Sequence, residues 1–116
     1  MPTSPSTLLA VLGDETRRGV VQALSDGAAS AGEIAAHLDA SPAALTRHLR
    51  ALRRAGVVDA TLDPEDFRRH VYRLNPEPFL SLRDWADQIA RFWSSQLDSF
   101  AQYAARDAKA GSAKRQ

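Results

Sequence analysis

The segment 41–56 constrains the fold more than any other part of the chain, because it encodes both ends of a helix. Ser41 is a favoured N-cap residue, and Pro42 fits the first helical position, where no backbone hydrogen bond is lost. Gly56 can adopt the left-handed conformation that ends a helix. The sequence therefore predicts a helix over residues 41–55.

The two faces of this helix differ in chemistry. Leu45, Leu49 and Leu52 recur at helical spacing and predict a buried face. The other face carries small and cationic side chains, at Ala43, Thr46, Arg47, Arg50 and Arg54. A helix that enters the major groove of DNA needs short side chains at its leading end and arginines that reach guanines or phosphates. An ordinary solvated helix would show the same residues, so the surrounding sequence has to decide.

Positive charge is concentrated around this helix, although the net charge of the 116 residues is only +1. Residues 41–74 carry seven arginines against four acids, whereas residues 1–40 carry two arginines against five acids. Focused positive charge attracts a polyanion even when the whole protein is nearly neutral. The distribution favours a nucleic acid as the partner.

Composition excludes several function classes. The chain has no cysteine, which removes disulfides, thiolate metal sites and cysteine nucleophiles. No apolar run approaches the length of a membrane span, and the N-terminus lacks a signal peptide pattern, so we expect a cytoplasmic protein with no membrane partner. The three histidines have no nucleophile motif beside them, and there is no glycine-rich phosphate loop, so we expect no enzymatic activity.

The residues before the cationic helix predict its structural partner. Short helices are expected over 7–12 and 15–24. Ser30 and Glu33 form a capping-box pattern that starts a third helix, and a tight turn at 39–40 leads directly to the cationic helix. Two short helices joined by such a turn predict a helix-turn-helix, in which the second helix lies in the groove.

A β-hairpin is expected over residues 57–74. Residues 57–62 and 70–74 favour extended structure, and the residues between them favour a turn. Arg68 and Arg69 lie at or just past the tip of this hairpin, where they could reach a phosphate or the adjacent minor groove. Neighbouring acids would weaken that contact, and a solvated loop is the alternative. The hairpin corresponds to the wing of a winged helix.

The last expected element is a long helix over residues 79–106. Its apolar stripe is too wide and too aromatic to be left in water, and a second copy of the chain is the simplest partner. The expected homodimer interface uses the first and last helices, through Leu8, Leu9, Leu12, Leu82, Trp85, Ile89, Phe92, Trp93, Leu97 and Phe100. An effector pocket for an unknown small apolar molecule is the alternative use of the stripe. Residues 1–106 would then form one domain, followed by a disordered basic tail at 107–116.

The sequence resembles the arsenic-repressor (ArsR) family of bacterial winged-helix regulators over roughly residues 8–100. The resemblance is carried by LGDETRR at 12–18, EIA at 33–35, SPAALTRHL at 41–49, LRRAGVV at 52–58 and RHVYRL at 69–74. It implies a mainly α fold with a small β-hairpin, a winged helix-turn-helix with N- and C-terminal dimerisation helices. It also implies a homodimeric repressor that binds double-stranded DNA at a palindromic operator.

The resemblance implies a role for each residue of the cationic helix. Pro42, Ala43, Thr46 and Arg47 would read bases, with Ser41 and Arg50 near the backbone. Metal-sensing members of the family carry a cysteine pair near the first helix of the helix-turn-helix, or histidines with acids on the last helix.

Neither metal pattern is present here, so we expect no metal and no cofactor. Pro42, Ala43 and Ala44 leave direct base readout chiefly to Thr46 and Arg47. The alternative is therefore a winged-helix interaction module that binds a protein partner or a small apolar ligand and has little specific affinity for DNA.

Overall fold

The computed structural model describes the backbone of residues 3–115 and the side chains of residues 3–108. Its elements are α1 Pro5–Val11, α2 Glu15–Ser25, β1 Ala29–Ser30, α3 Ala31–Leu38, α4 Pro42–Arg54, β2 Val58–Leu62, β3 His70–Leu74 and α5 Pro76–Arg115. This mainly helical architecture with a small antiparallel sheet confirms the predicted winged helix-turn-helix. The chain divides into two compact units, residues up to Leu82 and residues from Arg83 onward, which are described separately.

The first unit has one hydrophobic core, to which all four N-terminal helices contribute. Its buried side chains are Leu8, Val20, Leu24, Ile34, Leu45, Leu49, Leu52, Val57 and Val58. The leucines of α4 supply the buried face that their spacing predicts, each with no more than 3% of its surface exposed. Burial of this face fixes the rotation of α4 and leaves the cationic face outward.

Serine and aspartate side chains cap the helices of this unit. The Asp14 carboxylate accepts a hydrogen bond from the Arg17 N–H at 3.1 Å, and the Ser41 hydroxyl accepts from the Ala44 N–H at 3.3 Å. The predicted capping box is present, because Ser30 Oγ accepts from the Glu33 N–H while the Glu33 carboxylate accepts from the Ser30 N–H. These bonds satisfy amide groups that the first helical turn leaves without partners.

The sheet contains three antiparallel strands in the order β1-β3-β2. Strands β2 and β3 form the expected hairpin, with a register that runs from Val58↔Leu74 to Leu62↔His70. Strand β1 was not predicted, and it pairs with β3 through Ala29↔Tyr72 and Ser30↔Val71. A two-residue strand has no periodicity to detect, so only its tertiary pairing defines it.

Both terminal helices depart from the expected bounds. Helix α1 starts at Pro5 rather than at residue 7, because the Ser4 hydroxyl accepts from the Thr7 N–H and caps it. Helix α5 starts at Pro76, where a proline loses no helical bond, with Asn75 Oδ1 accepting from the Glu77 N–H at 3.3 Å.

The tail predicted to be disordered is helical to Arg115, and only residue 116 lies outside the described backbone. Alanine, lysine and arginine dominate this segment and are strong helix formers. The expectation of disorder rested on polarity and small side chains, and it underestimated this intrinsic preference.

Three residues expected at a dimer interface contribute to the core of the first unit. Leu8 is fully buried, and Leu12 and Leu82 are partly buried and pack against the same core. A short amphipathic helix directs its most apolar position inward, which the sequence alone did not distinguish from a surface for a second chain. Leu9 is 48% exposed and stays available for a partner.

Candidate nucleic-acid interface

Helices α3 and α4 form a helix-turn-helix around a tight turn. Asp39 ends α3 in the left-handed conformation, with φ of 52°, and the Ala40 N–H donates to the Ala35 carbonyl at 3.2 Å. Aspartate tolerates this conformation better than most residues because its short polar side chain can bond locally. The turn spans residues 39–41, and Ser41 at its end is the N-cap of α4.

The outward face of α4 and its cap present all the residues of segment 41–54 that the sequence assigned to DNA. The exposed set is Ser41, Pro42, Ala43, Thr46, Arg47, Arg50 and Arg54, and Arg53 is exposed as well. The leading end of this face is small, and its later turns are cationic. An exposed ridge of this kind can enter a major groove without a steric barrier at its tip.

The arginines of α4 are not neutralised within the protein. In the described part of the chain, the guanidinium groups of Arg47, Arg50 and Arg54 form no ion pair within 4.0 Å. Their charge is therefore available to phosphates or to the acceptor edge of guanine.

The Thr46 hydroxyl forms one hydrogen bond within α4 and can still accept another. It donates to the Pro42 carbonyl at 2.8 Å, within the first turns of α4. This bond orients the side chain, while the hydroxyl oxygen retains lone pairs and the methyl group stays exposed. The methyl group can contact the methyl of a thymine, and the oxygen can accept from a base amino group.

An imidazole links α4 to the helix behind it. His48 Nδ1 lies 3.9 Å from Asp14 Oδ1, and 21% of the His48 side chain is exposed. The pKa of Asp14 is lowered chiefly by the hydrogen bond from the Arg17 N–H, and the nearby His48 also favours the carboxylate. The Asp14 carboxylate therefore caps α2 and lies beside the imidazole of α4.

The two wing arginines, which the sequence predicts to contact DNA, have different surroundings. Arg68 is exposed, and its side chain forms no hydrogen bond or ion pair with any described residue. Arg69 is also exposed, with 45% of its side chain accessible, but its guanidinium pairs with the Glu33 carboxylate and donates to Ser30 Oγ at 3.1 Å. No local sequence pattern indicates this pairing, because Glu33 and Arg69 are brought together by the pairing of β1 with β3.

The wing loop between β2 and β3 is acidic. Asp63 Oδ1 accepts from the Glu65 N–H at 2.9 Å, and Asp66 Oδ1 accepts from the Arg68 N–H at 3.1 Å. These two carboxylates therefore shape the loop, whereas the carboxylate of Glu65 is exposed. Phe67 is also 73% exposed at this loop.

A polar groove of about 630 Å³ lies beside the start of α4. Its lining comes from α2, from the end of α3 and the turn after it, and from α4. The polar residues of the lining are Glu15, Thr16, Arg18, Gln22, Asp39 and Ser41. Charges of both signs line it, so it lacks the single-sign field that would concentrate one kind of ligand.

Two kinds of feature would point to other functions: a cluster of metal-ligating side chains and a membrane-spanning helix. Within the described residues, no group of three or more histidine, cysteine, aspartate or glutamate side chains is placed to hold a metal ion. In the same part of the chain, no helix is both long enough and apolar enough to cross a membrane.

The tight turn, the exposed cationic helix and the hairpin beside it define a winged helix-turn-helix of the DNA-binding class. Residues 12–60 match the model of a helix-turn-helix domain family. The chain is 36% identical over 99 residues to the HTH-type transcriptional regulator Rv2034 of Mycobacterium tuberculosis, a match that covers 85% of this chain and 87% of that protein.

Solved structures show the same fold. An ArsR-like transcriptional regulator from Rhodococcus sp. RHA1 superposes with a TM-score of 0.70 at 27% identity, covering 86% of this chain and 92% of that one. A possible transcriptional regulator for arsenical resistance superposes with a TM-score of 0.61 at 38% identity, covering 80% and 91%. The chain belongs to the ArsR family of helix-turn-helix transcriptional regulators.

Proposed function

We propose that this protein is a homodimeric repressor that binds a palindromic operator in double-stranded DNA in the cytoplasm. The observation that carries the proposal is the outward face of α4, where a small leading end precedes arginines that no described acidic side chain neutralises. In this arrangement Pro42, Ala43, Thr46 and Arg47 face the bases.

Other exposed residues of this surface would hold the protein on the duplex. Ser41 and Arg50 would contact the backbone near the bases, and Arg54 follows Arg50 one turn later on the same helix. Contacts of this kind set register and orientation, while the sequence is read by the few side chains at base edges.

Support for a dimer comes from the second unit, considered by itself. Large apolar side chains recur along one face of α5 and are 43–71% exposed, at Trp85, Ile89, Phe92, Trp93, Leu97, Phe100 and Tyr103. A contiguous apolar face of this size is unusual on a monomer and marks an interaction surface. A two-fold dimer would present two copies of α4 to one face of the duplex, about 34 Å apart.

The test is selection of bound sequences from a random pool of duplex DNA, followed by titration of the enriched duplex at several salt concentrations. We expect an inverted repeat with half-sites about one helical turn apart. The log-log salt slope should be on the order of −5 or steeper, if about six phosphates are neutralised per dimer.

Arg47→Ala tests base readout directly. If Arg47 reads a base, its loss should cost about 1–3 kcal/mol on the enriched duplex and flatten the preference at one base pair of each half-site. Arg91→Ala is the matched control, because Arg91 is an exposed arginine of α5. Equal loss on every sequence would reduce Arg47 to a phosphate contact.

Exposed Phe67 on an acidic wing loop favours a second candidate, an interaction module that binds a protein partner or a small apolar ligand. This candidate predicts no enriched sequence and only a shallow dependence of DNA affinity on salt. Selection and salt titration therefore distinguish the two functions in one experiment.

A further inference from the structure

The ion pair between Arg69 and Glu33 distinguishes the surroundings of the two wing arginines. We propose that Arg69 is a positioning residue that holds the wing against the start of α3, and that Arg68 alone makes the contact between the wing and the phosphate backbone. This proposal rests on the proposed DNA-binding function and deepens it.

Four side chains form what we call the wing clasp: Ser30, Glu33, Asp63 and Arg69. The Arg69 guanidinium pairs with the Glu33 carboxylate, donates to Ser30 Oγ at 3.1 Å, and has its Nε 3.9 Å from Asp63 Oδ2. The Ser30 hydroxyl also donates to Glu33 Oε1 at 3.0 Å. One cation therefore connects the loop of the wing to the first turn of the helix-turn-helix.

The sheet register places these groups together. Ser30 pairs with Val71 across β1 and β3, so the residues just before β3 run alongside the start of α3. The Asp63 N–H donates to the Arg69 carbonyl at 2.8 Å, and the Arg69 N–H donates to the Asp66 carbonyl at 2.9 Å. Backbone bonds thus fix Arg69 at the base of the loop, and its side chain has a short reach to α3.

Charge compensation decides which arginine is available to DNA. Arg69 has two carboxylates around its guanidinium, and the pKa of Glu33 is lowered chiefly by hydrogen bonds from Ser30, with Arg69 adding to the effect. A phosphate that approaches Arg69 meets the negative charge of Glu33 and Asp63. Arg68 has no such compensation, because no described side chain pairs with it.

Glu33→Gln distinguishes the two roles of Arg69 by the sign of its effect on DNA affinity. Glutamine keeps an acceptor for the capping box but removes the charge that holds Arg69. If Arg69 is a positioning residue, Glu33→Gln weakens binding to the enriched duplex, as Arg69→Gln does. If Arg69 binds a phosphate, Glu33→Gln frees it and strengthens binding, which would overturn the proposal.

Glu15→Gln is the matched control, because it removes one exposed carboxylate from the first turn of α2. The Glu15 side chain forms no hydrogen bond or ion pair with any described residue. Any gain in affinity from the loss of a negative charge alone appears in this variant. The effect of Glu33→Gln is measured relative to it.

Salt dependence separates the two arginines. We expect Arg68→Gln to reduce the log-log slope by about 0.9 per protomer. Arg69→Gln should leave the slope unchanged and weaken binding by at most about fivefold, as an exposed ion pair allows. The double variant that combines Arg69→Gln with Glu33→Gln should bind DNA no more weakly than either of these single variants. A lower slope for Arg69→Gln, or additive losses, would contradict the clasp.

Hydrogen exchange of the free protein supplies a readout that does not need DNA. Arg69→Gln should speed exchange of the Asp63 and Arg69 amides, which bond across the wing loop, while Arg68→Gln leaves it unchanged. Unchanged exchange in Arg69→Gln would overturn the proposal whatever the DNA results. If the wild-type protein binds no duplex, the proposed function has failed, and exchange alone decides whether the clasp holds the wing.

Discussion

Ser30 is the residue whose removal should cost the wing region most. Only 8% of the surface of Ser30 is exposed, and its hydroxyl accepts a hydrogen bond from the Glu33 N–H at 3.2 Å. It also donates to the Glu33 carboxylate and accepts from Arg69. Ser30→Ala removes all three bonds at once and leaves the backbone of β1 intact.

The expected magnitude follows from this geometry. Replacement of a capping serine by alanine costs about 0.5–2 kcal/mol of folding free energy. Ser41 is exposed and makes one capping bond, to the Ala44 N–H, so Ser41→Ala should fall near the lower end of that range. Ser30→Ala should lie at the upper end, about 1.5–2 kcal/mol, because its hydroxyl is buried and shared between the helix cap and the wing clasp.

Urea unfolding at matched protein concentration measures both variants, since an oligomer would make stability depend on concentration. The slope of the unfolding free energy with urea should be the same for both proteins, so that midpoints compare directly. A loss for Ser30→Ala no larger than for Ser41→Ala would show that the buried hydroxyl contributes only as a cap and would refute this reasoning.

Three further outcomes are expected. The free energy of unfolding should decrease as the pH falls below about 4.5: the lowered pKa values of Asp14 and Glu33 mean that the folded state binds fewer protons than the unfolded state. Asp14→Asn keeps a capping acceptor, so its free energy of unfolding should decrease less at low pH than that of the wild type. Urea unfolding at several pH values measures this decrease, and an equal decrease in both proteins would contradict the assignment. Gly56→Ala should cost about 1–2 kcal/mol, because the φ of Gly56 is 75° and an L side chain is strained there; an unchanged urea midpoint would contradict it. Phe92→Glu should give monomers in sedimentation experiments while Arg91→Glu does not, and a persistent Phe92→Glu dimer would remove α5 from the interface.

Much of the candidate interface could be predicted from local sequence. The cap at Ser41, the periodic leucines and the left-handed Gly56 are short-range features, and they specify α4 and its two faces without reference to the rest of the chain. The exposed face of α4 was therefore predictable residue by residue. The same logic identified the capping box of α3 from Ser30 and Glu33.

Other features required the tertiary structure. The assignment of Leu8 to a dimer failed because a short apolar helix offers no local sign of whether its partner is its own core or a second chain, and here it is the core. Helix α5 extends to Arg115, whereas the sequence predicted its end at residue 106. The residues after 106 are polar and small, which suggests disorder, but several of them are strong helix formers.

The wing shows most clearly which features local sequence determines and which depend on the tertiary structure. Local patterns in the sequence determined the hairpin and its two arginines, because alternation and turn residues act over a few positions. Only the tertiary structure decided that Arg69 pairs with Glu33 while Arg68 has no ion-pair partner among the described residues. The two residues are adjacent and chemically identical, and what separates them is the pairing of β1 with β3, a contact across about forty residues that no local pattern records.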